Sequence, residues 1–412
     1  MRILFIAPGY LPYTFSENLC SGKLVYALQE HGWEIDVISR KDEGITYCSE
    51  WKEPWLLLQK HTFEVSYPFG NKLEKFFDVI SSSVQMKTFP VTGIRWARRA
   101  YEKAVELYGK KPYDAVLTRS PNDISHIVGL KLKQKFGVRW IANWNDPAST
   151  IWPQPYTHHY PYYKWKIEQS YTLRCLKNAD VNTFPSQSLL DHFMVHFPLL
   201  KNQRTTVIPH IGLSNSLYWS QKAVKKDKFS LCHSGNLSVE RNPELVFKAL
   251  REIINEGNTS IQFDIMGNVN EFVEKKIEKY SLQKYVRFVG SFPYMEALHK
   301  MEKYDALVLL EANLDKGIFF ASKFTDYAQI NRPILAISPS SGFANSIINE
   351  RGGGVVVDNC DCKSIKDGIL TLYKGWEAGS LGQDYDTEKL YSVFSVEYIT
   401  NLYEQLLCNS QR

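Results

Sequence analysis

Residues 3–39 read ILFIAPGYLPYTFSENLCSGKLVYALQEHGWEIDVIS, and this stretch lays out one complete structural unit. The apolar run Ile3–Ala7 has the continuous hydrophobicity of a strand buried on both faces, and it meets a turn at Pro8 and Gly9. Ser16 and Asn18 are polar capping candidates for a helix through Leu24, Ala27 and Leu28 that stops at Gly32. A second apolar run, Ile35–Ser39, follows directly. Strand, loop, helix, strand is a unit whose crossover is right-handed.

The rhythm continues along the chain. Further short apolar runs stand at Ala115–Thr118, Trp140–Asn143, Val181–Phe184 and Thr206–Ile208. After a polar, lysine-bearing stretch between Pro209 and Lys228 it restarts at Phe229–His233, Ile261–Met266, Val286–Val289, Ala306–Leu310, Ile334–Ile337 and Gly354–Val357. Apolar strands alternating with helix-period segments predict an α/β chain with two doubly wound, Rossmann-like domains. The expected division is 1–209, 210–385, and a helical tail over 386–412 that packs across the two lobes. Facing sheets would hold a ligand in a cleft at their strand C-terminal ends. Two segments break the pattern, 51–91 and the aromatic, proline-broken run Trp152–Trp165.

Composition narrows the class. The chain has 412 residues, 44% of them hydrophobic and 23% charged, so it is neither disordered nor fibrous. The net charge of +5 is too small to announce a nucleic-acid binder, but suits an anionic small ligand or a membrane surface. No apolar stretch reaches the length of about 20 residues that spans a bilayer. Ile3–Ala7 is too short for the core of a secretory leader. Seven dispersed cysteines, an odd number, fit a reducing, cytoplasmic setting better than a disulfide scaffold.

The run of most chemical interest is Leu309–Ile337, LLEANLDKGIFFASKFTDYAQINRPILAI. It reads as strand, loop, helix, loop, strand, with Ser322 as N-cap and Lys323 in the first helical turn. A cation there opposes the helix dipole, which makes sense if a phosphate lies at the helix start. Asp326, one turn on, is placed to accept hydrogen bonds from ribose hydroxyls. An ordinary i,i+3 surface pair of Lys323 with Asp326 is the competing reading.

The pattern Gly317-x-Phe-x-x-Ser-Lys-Phe-x-Asp-Tyr followed by Arg332-Pro-Ile-Leu-Ala resembles the donor-site signature of family 4 GT-B-fold retaining glycosyltransferases. Phe229-x-x-x-His-Ser-Gly-Asn-Leu with Arg241 resembles the segment that opens their C-terminal lobe, and Val286-Arg-Phe-Val-Gly-Ser-Phe resembles a further strand of it. Thr118-Arg-Ser-Pro and Trp140-x-x-x-Trp-x-Asp146-Pro resemble the N-lobe of members that build surface polysaccharides. The order of these motifs covers most of the chain.

The resemblance implies transfer of a sugar from a nucleoside diphosphate sugar to a glycan or lipid-linked acceptor, with retention, no metal and no cofactor. Arg241, Lys323 and Arg119 are its implied catalytic cations; Arg119 can touch a phosphate but cannot act as a base. Gly235, Asn236, Gly290, Ser291, Phe292, Phe320, Ala321, Ser322 and Asp326 would line the donor, and Glu17, Asp146 and His126 the acceptor side. The first carboxylate of the family's acidic pair falls on Ile318 and its first phosphate cation on Asn236, so both are missing. Lys323 is expected to replace the lost charge, while Glu311 and Asp315 are badly spaced to replace the carboxylate.

Three rivals share this layout: a sugar-nucleotide epimerase of the same fold, a bilobal binding protein without catalysis, and a transferase fold with a degenerate site, because Ile318 and Asn236 depart from the pattern. Asp384-Tyr-Asp386 and Cys360-Asp-Cys362 look like metal motifs, but neither has a supporting ligand set and both read as turns. Finally, Arg95–Lys111 reads as an amphipathic helix with Ala97, Ala100, Tyr101, Ala104, Val105 and Tyr108 inward. Its outward Arg95, Arg98, Arg99 and Lys103, with the Trp152–Trp165 loop, form the expected contact with an anionic membrane on the cytoplasmic face.

Overall fold

Parallel strands need a long crossover, so each apolar run in this chain is separated from its sheet neighbour by a helix or a long loop. The computed structural model describes residues 1–13, 15–41, 51–67, 70–220 and 227–408. Cys48 and the lysine-rich residues 221–226 lie outside them. The first sheet contains β1 (Arg2–Ile6), β2 (Glu34–Lys41), β3 (Thr62–Ser66), β4 (Ala115–Arg119), β5 (Arg139–Asn143), β6 (Val181–Phe184) and β7 (Thr205–Val207). Its order is β3-β2-β1-β4-β5-β6-β7, with every pair parallel. The second contains β8 (Phe229–Ser234), β9 (Ile261–Met266), β10 (Val286–Phe288), β11 (Ala306–Leu310), β12 (Ile334–Ser338) and β13 (Gly354–Asp358). Its order is β10-β9-β8-β11-β12-β13, again all parallel.

The chain divides into two compact units, Met1–Pro209 with Ile399–Arg412, and His210–Tyr398. Each is a doubly wound Rossmann-like α/β layer structure. In the second, Phe229, Leu231, Val308 and Leu335 on the strands meet Val246, Leu250 and Ile253 of helix Glu244–Asn255 on one side of the core. Ile365, Ile369 and Leu372 of helix Cys362–Ala378 complete the same cluster. Burying each such side chain contributes roughly 1.5–3 kcal/mol. The last helix, Val396–Cys408, is held to the first unit at its end, where the Arg139 guanidinium donates to the carbonyls of Leu406 and Leu407.

The structure departs from the sequence reading within 51–91, where a helix forms over Lys52–Leu58. β3 was not expected; it adds to β2 as an edge strand, its TFEVS sequence only half-buried. Helix Lys72–Gln85 lies beside helix Ile94–Lys110. Ala97, Ala100 and Ala104 face inward as the periodicity requires. The arginines opposite them, however, do not face outward into solvent. Asp78 of the neighbouring helix accepts from Arg95 Nε at 2.6 Å, Arg98 Nη2 at 3.0 Å and Arg99 Nη1 at 3.2 Å. Three of the expected outward cations thus share one carboxylate, while Lys103 pairs with Glu106.

Candidate functional site

Open α/β sheets bind ligands beyond the strand C-termini, where strand order reverses. In the second unit that point lies between β8 and β11. β8 ends at Ser234 and Gly235 follows with φ +118°, a left-handed value that favours glycine. The Lys323 ammonium, in the first turn of helix Lys323–Ile330, donates to the Ser234 carbonyl. A Cβ on Gly235 would stand 2.6 Å from that nitrogen. Ser322 occupies the N-cap position without a side-chain cap; instead its carbonyl accepts from the Thr325 hydroxyl at 2.9 Å.

Burial brings the Lys323 pKa down to about 7, reinforced by the nearby Arg241 guanidinium. Arg241, exposed in the loop after β8, has no salt bridge among the described residues. Its field also reaches Glu311, directly after β11, whose carboxyl burial pushes up to about 7 while Arg241 pulls it down. Arg241, Lys323 and Glu311 therefore share one electrostatic neighbourhood. Spacing alone had spoken against Glu311; the signal that finds it is its place at the end of a buried strand beside the switch point. His233 lies beneath, its Nδ1 3.0 Å from the Val308 carbonyl. Burial first, then Lys323 and Arg241, hold its pKa well below the ordinary value, so the ring is neutral.

The neighbouring loops are tied together by amides. Asn236 Oδ1 accepts from the Asn268 backbone N–H at 2.9 Å, and the Ser291 hydroxyl donates to Asn268 Oδ1 at 2.8 Å. Gly290, at φ +92°, turns the chain after β10. Gly235, Asn236, Gly290 and Ser291 are therefore gathered along the ends of β8, β9 and β10. Asp326 is buried, and the Tyr294 hydroxyl donates to its Oδ1 at 2.8 Å. Ala321 is half-buried at the helix start, where its carbonyl accepts from the Phe324 N–H at 2.9 Å.

The rings of two expected donor residues are engaged by other side chains. Phe320 is buried and stacked on Phe343, with ring centroids 3.9 Å apart, so its ring belongs to an aromatic core with Phe324 and Phe394. Phe292 carries the Lys300 ammonium over its ring at 4.1 Å. It borders a groove of about 510 Å³ across the sheet face, where Asp264 is paired with Arg287.

In the first unit the reversal falls between β1 and β4. Arg119, the last residue of β4, is buried and donates to Asn143 Oδ1 at 2.8 Å. Its Nη2 is 3.5 Å from a carboxylate oxygen of Glu17, in the first turn of helix Ser16–Glu30. Burial raises the Glu17 pKa and Arg119 opposes that rise. A pocket of about 310 Å³ opens there, lined by Gly9, Asn18, Arg40 and Asn122 among others. Asp146 is half-buried in the loop after β5, and Asn145 ties that loop to Ser120 through hydrogen bonds of 3.0 and 2.6 Å.

His126 does not join them. Its ring is fully buried, 2.8 Å from the Thr118 hydroxyl, with its centroid 4.0 Å from that of Trp144. Burial depresses its pKa to about 3, the mark of a neutral packing residue rather than an acceptor-side group. Asp123, unnoticed in the sequence, stands in the same loop region; burial drives its pKa up to about 7, with Glu168 adding to the rise.

The metal-like motifs are local turns. Asp384 accepts from the Ser380 hydroxyl and Asp386 from the Glu388 N–H. Asp361, between Cys360 and Cys362, caps the following helix by accepting from Lys363 N–H at 2.9 Å.

Residues 218–381 match the family model described as Glycosyl transferases group 1. No curated protein matches the sequence. Solved structures do. A sucrose-phosphate synthase from Thermosynechococcus elongatus superposes with a TM-score of 0.70 at 17% identity, with 100% of both chains covered. HepE of Anabaena, in complex with UDP, does so at 0.66 and 14% identity, covering 99% of this chain and 100% of that one. A variant of TarM of S. aureus, in complex with Fondaparinux, alpha-GlcNAc-glycerol and UDP, does so at 0.66 and 11%, with 99% and 100% covered. The chain thus has the GT-B fold, two Rossmann-like units, and its residues 218–381 match the group 1 glycosyl transferases.

Proposed function

We propose that this protein is a glycosyltransferase that moves a sugar from a nucleoside diphosphate sugar to a glycan or lipid-linked acceptor, with retention and without a metal ion. The observation that carries the reading is the grouping of Arg241 and Lys323 at the ends of β8 and β11, inside the segment that matches the family. Two cations and a helix N-terminus neutralise a leaving diphosphate electrostatically, the role a metal would otherwise take. Glu311, poised near neutrality, is the right type to accept or donate a hydrogen bond at a sugar hydroxyl. Gly235, Asn236, Gly290 and Ser291 would hold the nucleotide, and Asp326 its ribose. In the first unit Arg119 and Glu17 are the groups to meet the acceptor. The UDP in the HepE and TarM complexes supports a uridine nucleotide as the first donor to try.

The test is calorimetric titration of the full chain with UDP and GDP, with and without EDTA, then a screen of nucleotide sugars with lipid-linked acceptor extract. Binding of a nucleoside diphosphate unaffected by EDTA, and acceptor-dependent consumption of one donor, is the expected result. A folded sample that binds no nucleoside diphosphate overturns it. Donor turnover without acceptor would instead assign an epimerase or hydrolase.

A further inference from the structure

Helix Lys72–Gln85 is amphipathic in the reverse sense from a helix that covers a core. Its polar side points into the protein: Asp78 takes the three arginines, and Ser82 and Ser83 are buried. Its apolar side points out. Leu73, Phe76, Phe77 and Val84 are each at least 60% exposed and Ile80 is 44% exposed, at the spacing of one helical face. Folding alone would favour the opposite rotation, so this stripe is kept in water for something that covers it.

The stripe leads to a cation-rimmed pocket. About 580 Å³ is enclosed by Ile80, Val84 and Phe89 on one side and by Ile167, Tyr171 and Arg174 of helix Tyr162–Asn178 on the other, with Lys87 at its edge. Arg174 Nη1 donates to the Lys87 carbonyl at 3.0 Å, while its Nε and Nη2 are buried with no partner among the described residues. Lys131 feels the same charges: burial, then Arg174 and Lys87, lower its pKa. Three cations that form no salt bridge among the described residues, one with guanidinium N–H groups left unpaired, suit a phosphate, although the carboxyls of Asp123 and Glu168 act on the neighbouring Tyr171. Lys72 and Lys75 are exposed along the stripe, and Tyr162 and Tyr163 are exposed at the start of the second helix, in keeping with the polar–apolar boundary of a bilayer.

We propose that the outward face of helix Lys72–Gln85, together with this pocket, docks on an anionic phospholipid bilayer, the apolar stripe entering the acyl boundary and Lys87, Lys131 and Arg174 holding a lipid phosphate. Charge complementarity selects the bilayer over an apolar protein partner: Glu74 stands among Lys72 and Lys75 on the stripe, but Lys87, Lys131 and Arg174 form no salt bridge among the described residues. The surface goes beyond the proposed reaction and stands apart from it. Vesicle binding needs no donor or acceptor, so its failure leaves the transferase reading intact.

The experiment is flotation of the full chain with vesicles of phosphatidylcholine alone and of phosphatidylcholine mixed with phosphatidylglycerol. We expect binding to the anionic vesicles only. Phe76→Ser with Phe77→Ser should lower the bound fraction about tenfold or more, and Lys87→Glu with Lys131→Glu should abolish the anionic preference. Because the two phenylalanines are exposed, circular dichroism should show both variants folded; a serine pair that unfolds is replaced by Leu73→Ser with Val84→Ser, judged on the same loss. A folded wild type that ignores anionic vesicles, equal binding to both vesicle types, or folded serine variants that bind as the wild type would overturn the proposal. So would a wild-type dimer, seen by sedimentation, that the serine variants dissociate, since the face would then belong to a second copy. Binding of free inorganic phosphate or glycerol phosphate at Arg174 without vesicle binding would likewise overturn it, assigning the pocket to a soluble phosphate.

Discussion

The Lys323 nitrogen stands where a Cβ on Gly235 would lie 2.6 Å from it, while donating to the carbonyl of the preceding residue, Ser234. The cation and the turn after β8 are therefore mutually fitted. Gly235→Ala meets both a left-handed φ of +118° and the lysine tip. The lysine can swing away, so the backbone strain should dominate stability, lowering it by about 1–3 kcal/mol in a denaturant titration. The displaced ammonium should weaken nucleoside diphosphate binding by roughly tenfold or more, read by calorimetry.

Lys323 also predicts the pH dependence of that binding. Burial and Arg241 bring its pKa to about 7, so the free protein carries the cation below that pH and loses it above. Affinity for a nucleoside diphosphate should fall as pH rises through the neutral range. Lys323→Ala should bind weakly and flatten the profile. The same shift acts on folding with its own sign: an unfolded lysine stays protonated to about 10.4, so stability rises with pH between 7 and that value. A wild-type kcat/KM retained in Lys323→Ala would remove the lysine from the site.

Arg119→Lys separates the two ends of the reaction. The guanidinium reaches Asn143 and Glu17 together, which a lysine ammonium cannot reproduce in the same geometry. Since Arg119 belongs to the first unit and the proposed nucleotide residues to the second, nucleotide affinity should stay within about twofold while kcat/KM for the acceptor falls by roughly tenfold or more. Parallel loss of nucleotide binding would place Arg119 at the donor instead.

Asp78→Asn tests the inward carboxylate of helix Lys72–Gln85. Burial disfavours its charge, yet hydrogen bonds from Arg95 and Arg99 outweigh that and hold its pKa below the ordinary range. Its contribution is therefore present above about pH 3.9, the ordinary aspartate value, and is lost as pH falls through the lower folded value. The substitution should destabilise the chain by about 1–3 kcal/mol at neutral pH, with the deficit closing in acid, as followed by thermal melts.

The strands were legible because each is a short apolar run with a helix on either side; Ala306–Leu310 and Ile261–Met266 stand in the sequence with the same bounds as in the sheet. β3 was not, since TFEVS is a half-buried edge strand with mixed polarity. The alanine face of helix Ile94–Lys110 followed from periodicity, but the fate of its arginines depended on a second helix, and a single helix's pattern carries no information about what lies across from it. Lys323 and Arg241 came from helix-start position and motif order. Glu311 is badly spaced when sequence distance is compared with a motif, whereas strand position brings it near Arg241. His126 and Phe320 share one cause: a lone His or Phe beside a motif looks the same whether its ring faces a ligand or a core, and only the packing against Trp144 or Phe343 separates the two.

The chain leaves its first unit after Pro209 and comes back to it at Ile399, where Arg139 receives the final helix. In topological terms the second unit is an insertion within the first, not a module threaded after it. Two covalent tethers join them, so a single proteolytic nick at either crossing leaves both halves of the chain on one connected framework until the other is cut. Residues 210–398 form one continuous segment suited to separate expression, whereas the first unit on its own requires its last stretch to be spliced back, for which a short linker from Pro209 to Ile399 is the natural design.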